Sequence, residues 1–112
     1  MPTVRLALVQ LNVTVGDLEG NRRRLLDGLL RAKVWQPDIV VVPELAVTGY
    51  PPEDLLLKPS FIDENLRVIE RVSALTRDLT ALVGFVDRDR EGRLFNAVAI
   101  LCDGRLRGVY HK

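Results

Sequence analysis

The sequence is poor in the residues that build cross-linked or metal-centred proteins. Its 112 residues include one cysteine, one histidine and one methionine. A single cysteine excludes an internal disulfide framework and any metal site with several cysteine ligands, and it suggests a reducing compartment. The 16 lysines and arginines balance 15 acidic residues, for a formal net charge of +1. This balance provides no electrostatic footprint for nucleic acid or for an anionic membrane surface, so neither partner is expected.

A long apolar segment is also lacking. The apolar run near the N-terminus, Val4 to Gln10, is too short and too interrupted for a signal peptide or a membrane span. A cytoplasmic location is therefore expected. The length allows one domain at most, and 47% hydrophobic residues suit a modest core rather than a disordered chain. The eight glycines match neither the dinucleotide fingerprint nor the phosphate-binding loop.

The hydrophobic periodicity alternates between that of strands and that of helices, which predicts an α/β fold. The predicted strands cover residues 4–10, 39–42, 81–86, 94–102 and 105–110. A first helix is predicted from Asn21, as its N-cap or first-turn residue, to about Trp35, and a second across residues 62–79. Tight turns at 90–92 and 103–104 connect the last three strands as hairpins. The predicted order is β-α-β-α-β-β-β.

The fourth predicted strand is apolar on both of its faces. Along residues 94–102, two sets of side chains alternate, and both sets are almost entirely hydrophobic. One face can pack on the two helices, but the other needs a second layer that these 112 residues do not supply.

Glu44 is the most informative single residue, because it is a carboxylate that follows Pro43 at the carboxyl end of a buried strand. Ligands of open α/β sheets bind at that edge. Desolvation beside an apolar strand end disfavours the charged form of a carboxylate, which suits a general base. A glutamate that merely caps the following turn is the alternative.

Three residues near the end of the sequence are weaker candidates. Lys112 and His111 follow a strand, and taken alone each has the pattern of a solvent-exposed strand end. Cys102 precedes the turn at 103–104, and no motif supplies the helix N-terminus or the cation that activates a thiol. We interpret Cys102 as a small buried hydrophobic residue rather than a nucleophile.

Taken together, several motifs resemble the nitrilase, or carbon-nitrogen hydrolase, superfamily. They occur in the family's order along the whole chain, at residues 4–10, 16–21, 38–45, 48–51, 96–100, 104–106 and 109–112. Residues 49–57, with Pro59 and Phe61, further resemble the glutaminase domain of the glutamine-dependent NAD synthetase branch. Motifs in this order are much more specific than any one of them.

The resemblance implies a four-layer α-β-β-α sandwich, of which this chain would form a part, and a catalytic triad of Glu, Lys and Cys. Matched residue by residue, Glu44 corresponds to the general base and Lys112 to the catalytic lysine. Tyr50 corresponds to a tyrosine that lines the glutamine pocket, with a loop-packing aromatic as the alternative. The nucleophilic cysteine would lie beyond position 112, and Cys102 does not match it.

The chemistry implied by the resemblance is attack of a thiolate on the side-chain amide of glutamine. Glu44 would transfer the protons, and Lys112 would neutralise charge on the oxygen of the tetrahedral intermediate. The released ammonia would pass to an ATP-dependent synthetase domain, which amidates nicotinate adenine dinucleotide to NAD. ATP and Mg²⁺ would belong to that second domain, and no cofactor or metal is expected for residues 1–112.

From this resemblance we expect residues 1–112 to be the N-terminal portion of a glutaminase domain, without the rest of that domain or the synthetase domain. Such a portion lacks its nucleophile and is expected to be inactive alone. The complete protein is expected to form a homo-oligomer.

Two other functions fit the same residues. Another branch of the superfamily, such as an amidase, carbamoyl hydrolase or nitrilase, would keep Glu44 and Lys112 and change the substrate, although residues 51–61 favour the synthetase branch. A small, non-catalytic α/β binding module is the second alternative. The apolar second face argues against that module, because such a face predicts self-association.

Overall fold

Strands and helices alternate as the periodicity predicts, across the residues 2–112 that the computed structural model describes. The strands are β1 (Leu6–Leu8), β2 (Ile39–Val41), β3 (Thr80–Arg88), β4 (Leu94–Cys102) and β5 (Arg105–His111). The helices are α1 (Leu18–Lys33) and α2 (Pro59–Ser73), with a short 3-10 helix at Glu53–Leu57. Within residues 2–112, no helix is long and apolar enough to cross a membrane.

The five strands form one sheet in which the spatial order equals the chain order. The first three strands are parallel, with Ala7 opposite Val40 and Val40 opposite Ala81. β4 and β5 each run antiparallel to the strand before, and a bulge interrupts their pairing between Ile100 and Leu101. A β-branched, wholly apolar β2 lies between two parallel neighbours, as expected for a strand covered by helices.

Both helices pack on the same face of this sheet. The hydrophobic core lies there and combines α1, α2 and alternate residues of the strands. Its buried members include Leu25, Leu29, Val68, Val72, Val40, Val83, Phe85, Ala99 and Leu101. The predicted α/β architecture is therefore confirmed, including helices on one side of the sheet.

The opposite face of the sheet is apolar and uncovered within residues 2–112. The strand register aligns Leu8, Val41, Leu82 and Ile100 in one row across four strands. Leu8 is 75% exposed and Ile100 is 36% exposed. This open face matches one layer of a sandwich, as the prediction of a partial α-β-β-α fold requires.

The helices differ from prediction at their ends. Asp17 is the N-cap of α1 and accepts a hydrogen bond from the Gly20 amide, so Asn21 lies in the first turn and the alternative of an Asn21 N-cap is wrong. α2 ends at Ser73, although the apolar spacing continues to Leu79. The Ser73 and Thr76 hydroxyls donate back to main-chain carbonyls, which competes with further helix and leaves Leu79 to lead into β3.

Asn21 joins three segments of the chain near the carboxyl end of β2. Its side chain is fully buried and donates to the carbonyls of Thr14 and Val47, at 2.8 and 2.9 Å, and it accepts from the Thr14 amide at 2.9 Å. These bonds hold the loop before α1 against the segment that follows Glu44.

We expect Asn21→Ala to lower the free energy of unfolding by about 2 kcal/mol, because it leaves buried main-chain groups without partners. Urea denaturation measures this change. Asn12→Ala, at an exposed position of the same loop, is the control and should change stability by less than about 0.5 kcal/mol. Equal effects of the two substitutions would contradict the assigned role of Asn21.

Candidate active site

The chain leaves β2 by passing directly over Gly84 of β3. A Cβ atom at Gly84 would lie 2.4 Å from the Leu45 nitrogen and 2.6 Å from the Pro43 carbonyl oxygen, and both are main-chain atoms. The Val47 amide then donates to the Gly84 carbonyl at 3.2 Å. Any side chain at position 84 would therefore displace the turn that carries Glu44.

Buried residues fix this turn and leave Glu44 outside. Residues 45–49 are all buried, whereas Glu44 and Tyr50 on either side of them are exposed. Leu45 packs with Ile62 of α2 and Val86 of β3 in a small second core. A carboxylate thus projects from a rigid turn at the carboxyl end of β2, the edge at which open α/β sheets bind ligands.

Glu44 meets Lys112 at this edge, although 68 positions separate them in the sequence. The Lys112 Nζ atom donates to Glu44 Oε2 at 2.8 Å. The main chain of Lys112 continues the β5 ladder, with its amide donating to the Asn96 carbonyl at 2.8 Å. The structure therefore brings together the two residues that the resemblance pairs as base and lysine.

Asn96 of β4 contacts both members of this pair. Its Nδ2 atom donates to Glu44 Oε2 at 2.5 Å, and its carbonyl accepts the Lys112 amide. One carboxylate oxygen of Glu44 thus receives two donors. Within residues 2–112, the other oxygen, Oε1, accepts no hydrogen bond and is available for proton transfer.

The three polar residues border a cavity of about 380 Å³. Its remaining lining is mainly apolar and comes from the strand ends and the open face: Val41, Val42, Pro43, Leu82, Gly84, Ala97, Val98 and Tyr110. A larger groove of about 540 Å³ lies between β1 and α1, at the opposite edge of the sheet from Lys112. Because the chemistry-bearing residues converge on the smaller cavity, we assign the candidate site there.

The ion pair shifts the pKa of both partners. Hydrogen bonds from Lys112 first and Asn96 second lower the pKa of Glu44, and Glu44 in turn raises the pKa of Lys112. Desolvation does disfavour the charged form of Glu44, as predicted, but the two donors outweigh it and the pKa falls, because the side chain remains 44% exposed. Both residues are charged at neutral pH.

Tyr50 lies close to the pair but outside the lining of the cavity. It is 65% exposed, and its electrostatic contribution to the raised pKa of Lys112 is smaller than that of Glu44. Its predicted role in binding glutamine stays a prediction.

Cys102 and His111 take no place at the cavity. Cys102 is partly rather than fully buried, and its sulfur accepts a hydrogen bond from the Thr80 hydroxyl. Cys102 lies six residues along β4 from Asn96, which corresponds to about 20 Å at the rise of a strand. His111 contacts Asp87 and Phe95 instead. Among the described residues, no group of three or more His, Cys, Asp or Glu side chains could hold a metal ion.

Sequence reasoning missed two residues of the site, Gly84 and Asn96. A glycine inside a strand often marks the close approach of another main-chain segment, so the position of Gly84 within a predicted strand could have indicated this contact. Asn96 breaks the otherwise apolar pattern of β4, and a polar residue in a covered strand is a candidate for a functional contact.

Replacing Lys112 by methionine should raise the pKa of Glu44 toward the ordinary value of about 4.3, because its strongest hydrogen-bond donor is lost. In the unsubstituted chain, the pKa of Glu44 is lower in the folded state than in the unfolded state. The ionised carboxylate therefore contributes its full stabilisation above about pH 4.3. That contribution is lost as the pH falls through the folded-state pKa. NMR titration of the Glu44 side-chain carboxyl carbon measures the folded pKa in the unsubstituted and the substituted chain. Lys58→Met, at an exposed lysine before α2, is the matched control and should leave the Glu44 pKa unchanged.

This sequence and fold are similar to those of known proteins. Residues 5–112 match the family model described as carbon-nitrogen hydrolase. The sequence is 43% identical to a glutamine-dependent NAD(+) synthetase of Thermotoga maritima and 38% identical to that of Aquifex aeolicus, over 100% and 97% of this chain. In both comparisons the chain spans 19% of the relative's length.

Solved structures agree with the sequence relatives. A glutamine-dependent NAD+ synthetase from Acinetobacter baumannii superposes with a TM-score of 0.91 at 31% identity, over 97% of this chain and 20% of that one. An amidase variant from Nesterenkonia sp. AN1 superposes with a TM-score of 0.85 at 19% identity, over 97% of this chain and 42% of that one, which shows the fold alone. The resemblance predicted from the motifs is confirmed: the chain belongs to the carbon-nitrogen hydrolase family.

Proposed function

We propose that this chain supplies the general base and the lysine of a glutaminase active site, as the N-terminal part of a glutamine-dependent NAD synthetase. The observation that carries the proposal is the 2.8 Å contact between Lys112 and Glu44 at the carboxyl end of β2. The chain spans about a fifth of the length of the relatives it matches, so the nucleophile and the synthetase machinery are assigned to the remainder.

The two charged groups fit the two needs of amide hydrolysis. Glu44, ionised at neutral pH, accepts the proton of an attacking thiol and then delivers it to the departing nitrogen. Lys112, held as an ammonium by the same carboxylate, donates to the oxygen on which negative charge develops. The C–N bond breaks, ammonia leaves, and a thioester remains. Glu44 then takes a proton from water, whose oxygen attacks the thioester. The C–S bond breaks, Glu44 returns the proton to the departing thiolate, and the carboxylic acid and the free thiol are released.

The nucleophile must come from outside the described residues. Cys102 lies about 20 Å along β4 from Asn96, too far to share a substrate with Glu44. The Nesterenkonia amidase carries the acetamide moiety of fluoroacetamide covalently at its active-site cysteine, and its fold is shared by this chain. The likeness to this amidase shows the fold alone, and the cysteine nucleophile is proposed from the Glu-Lys-Cys triad that the motif resemblance implies.

The relatives favour the synthetase branch over other amidases. Eight glutamine-dependent NAD(+) synthetases match the sequence at 32–43% identity, whereas the amidase structures match at 19–23%. Glutamine is therefore the proposed substrate, with Tyr50 beside its pocket. ATP and Mg²⁺ are assigned to the synthetase domain of the longer protein. The homo-oligomer and the cytoplasmic location remain predictions.

Residues 1–112 alone should release no ammonia from glutamine above the buffer background, because the proposed nucleophile is missing. A coupled ammonia assay with millimolar glutamine measures this. Turnover that disappears in Glu44→Gln would contradict the prediction and would make Cys102 a candidate nucleophile; Cys102→Ala would then decide its role.

A chimera tests the proposed roles directly. When this chain replaces the matching segment of the Thermotoga maritima synthetase, the chimera should form NAD with glutamine. Glu44→Gln and Lys112→Met should each lower that activity at least about 1,000-fold, because each removes a group that acts on the reacting atoms. NAD formation with ammonium chloride in place of glutamine is the folding control, since it bypasses amide hydrolysis. Full glutamine-dependent activity in Glu44→Gln would refute the proposal.

A further inference from the structure

Lys112 lies at the end of an edge strand of the sheet. It follows β5, the edge strand, whose residues are mostly exposed and whose pairing with β4 is interrupted by a bulge. The ends of edge strands open locally at low free-energy cost. Nevertheless the Lys112 Nζ atom lies at hydrogen-bond distance from Glu44, on the turn that follows β2.

The preceding residue is fixed by two contacts. The His111 ring stacks on the Phe95 ring, with centroids 4.0 Å apart and planes 3° from parallel. On the same ring, Nε2 lies 2.7 Å from Asp87 Oδ2. Asp87 and Phe95 are direct partners in the β3–β4 register, so His111 ties the end of β5 to both inner strands.

These contacts lie on the opposite side of the sheet from the candidate site. Successive side chains along a strand point to opposite faces, so His111 and Lys112 are directed to different faces from adjacent positions. The Lys112 amide also bonds to the Asn96 carbonyl, next to Phe95 in the chain. Holding the His111 ring therefore restricts the main chain from which the Lys112 side chain extends.

We propose that the Phe95–Asp87–His111 contact, which we call the aromatic anchor, positions Lys112 against Glu44. In this assignment His111 is a positioning residue that acts through the strand end and touches neither substrate nor reacting atoms. The consequence of this positioning for catalysis rests on the proposed function, whereas the contacts of the aromatic anchor involve only residues of β3, β4 and β5. It also gives the only histidine of the sequence a role that its pattern did not indicate.

NMR on the full 112-residue chain tests the anchor with two readouts, hydrogen exchange of the Lys112 amide and the pKa of Glu44. His111→Ala should speed that exchange at least about tenfold, by opening the strand end, and should return the Glu44 pKa toward about 4.3. Exchange at Val83 and Ala99 in the core should not change. Arg105→Ala, at the other end of β5, is the matched control and should alter neither readout.

Two further variants keep the test decisive if His111→Ala fails to fold. Phe95→Leu keeps an apolar side chain but removes the flat stacking face, so it should reproduce both effects. His111→Phe keeps the stack and loses the contact with Asp87, so it should rescue part of the slow exchange. The proposal would be overturned if Phe95→Leu changed neither the hydrogen exchange of the Lys112 amide nor the pKa of Glu44. It would also be overturned if a variant accelerated amide exchange equally at Lys112, Val83 and Ala99. Neither readout uses glutamine, so failure of the anchor and failure of the proposed function are separate results.

Discussion

The site depends on one steric constraint, the absence of a side chain at Gly84. The main chain of residues 43–45 lies so close to β3 that a Cβ atom would overlap it. Because the turn lies flat on the sheet, Leu45 packs in the small core with Ile62 and Val86, and Glu44 lies within hydrogen-bond distance of Asn96 on β4. A methyl group at position 84 would push this turn away from the sheet, and the Glu44 carboxylate would move away from both Asn96 and Lys112. Close packing at one glycine thus sets the geometry of an ion pair between residues that follow β2 and β5.

The ion pair itself carries an electrostatic conflict. A general base works best when its pKa lies near the working pH, yet the donors on Glu44 lower its pKa. The same donors guarantee that the carboxylate is ionised and oriented before substrate arrives. Loss of solvent from the cavity would raise the Glu44 pKa by desolvation and would also strengthen its attraction to Lys112. The basicity of Glu44 therefore depends on how far its surroundings exclude water.

Much of the fold was predictable because local patterns determine it. The bounds of β4 were predicted to the residue, since two turns flank an uninterrupted apolar run, and the order of strands and helices followed from periodicity. The cap at Asp17 and the end of α2 were not predictable, because they depend on which polar side chains turn back to the main chain. The contact of Glu44 with Lys112 needed the family resemblance, since no local pattern links residues 68 positions apart.

The open face and the candidate site are parts of one surface. Gly84, Val98 and Tyr110 stand opposite one another across three strands, and Leu82 and Ile100 form the next pair on the same side. Several of these residues line the cavity beside Glu44, so the cavity is the polar end of the apolar face. A layer that packs on that face must also wall the cavity and exclude water from it. Burial of the hydrophobic face would therefore also change the pKa of the Glu44 carboxylate, the proposed general base. The apolar face and the Glu44–Lys112 pair would then be covered by the same layer.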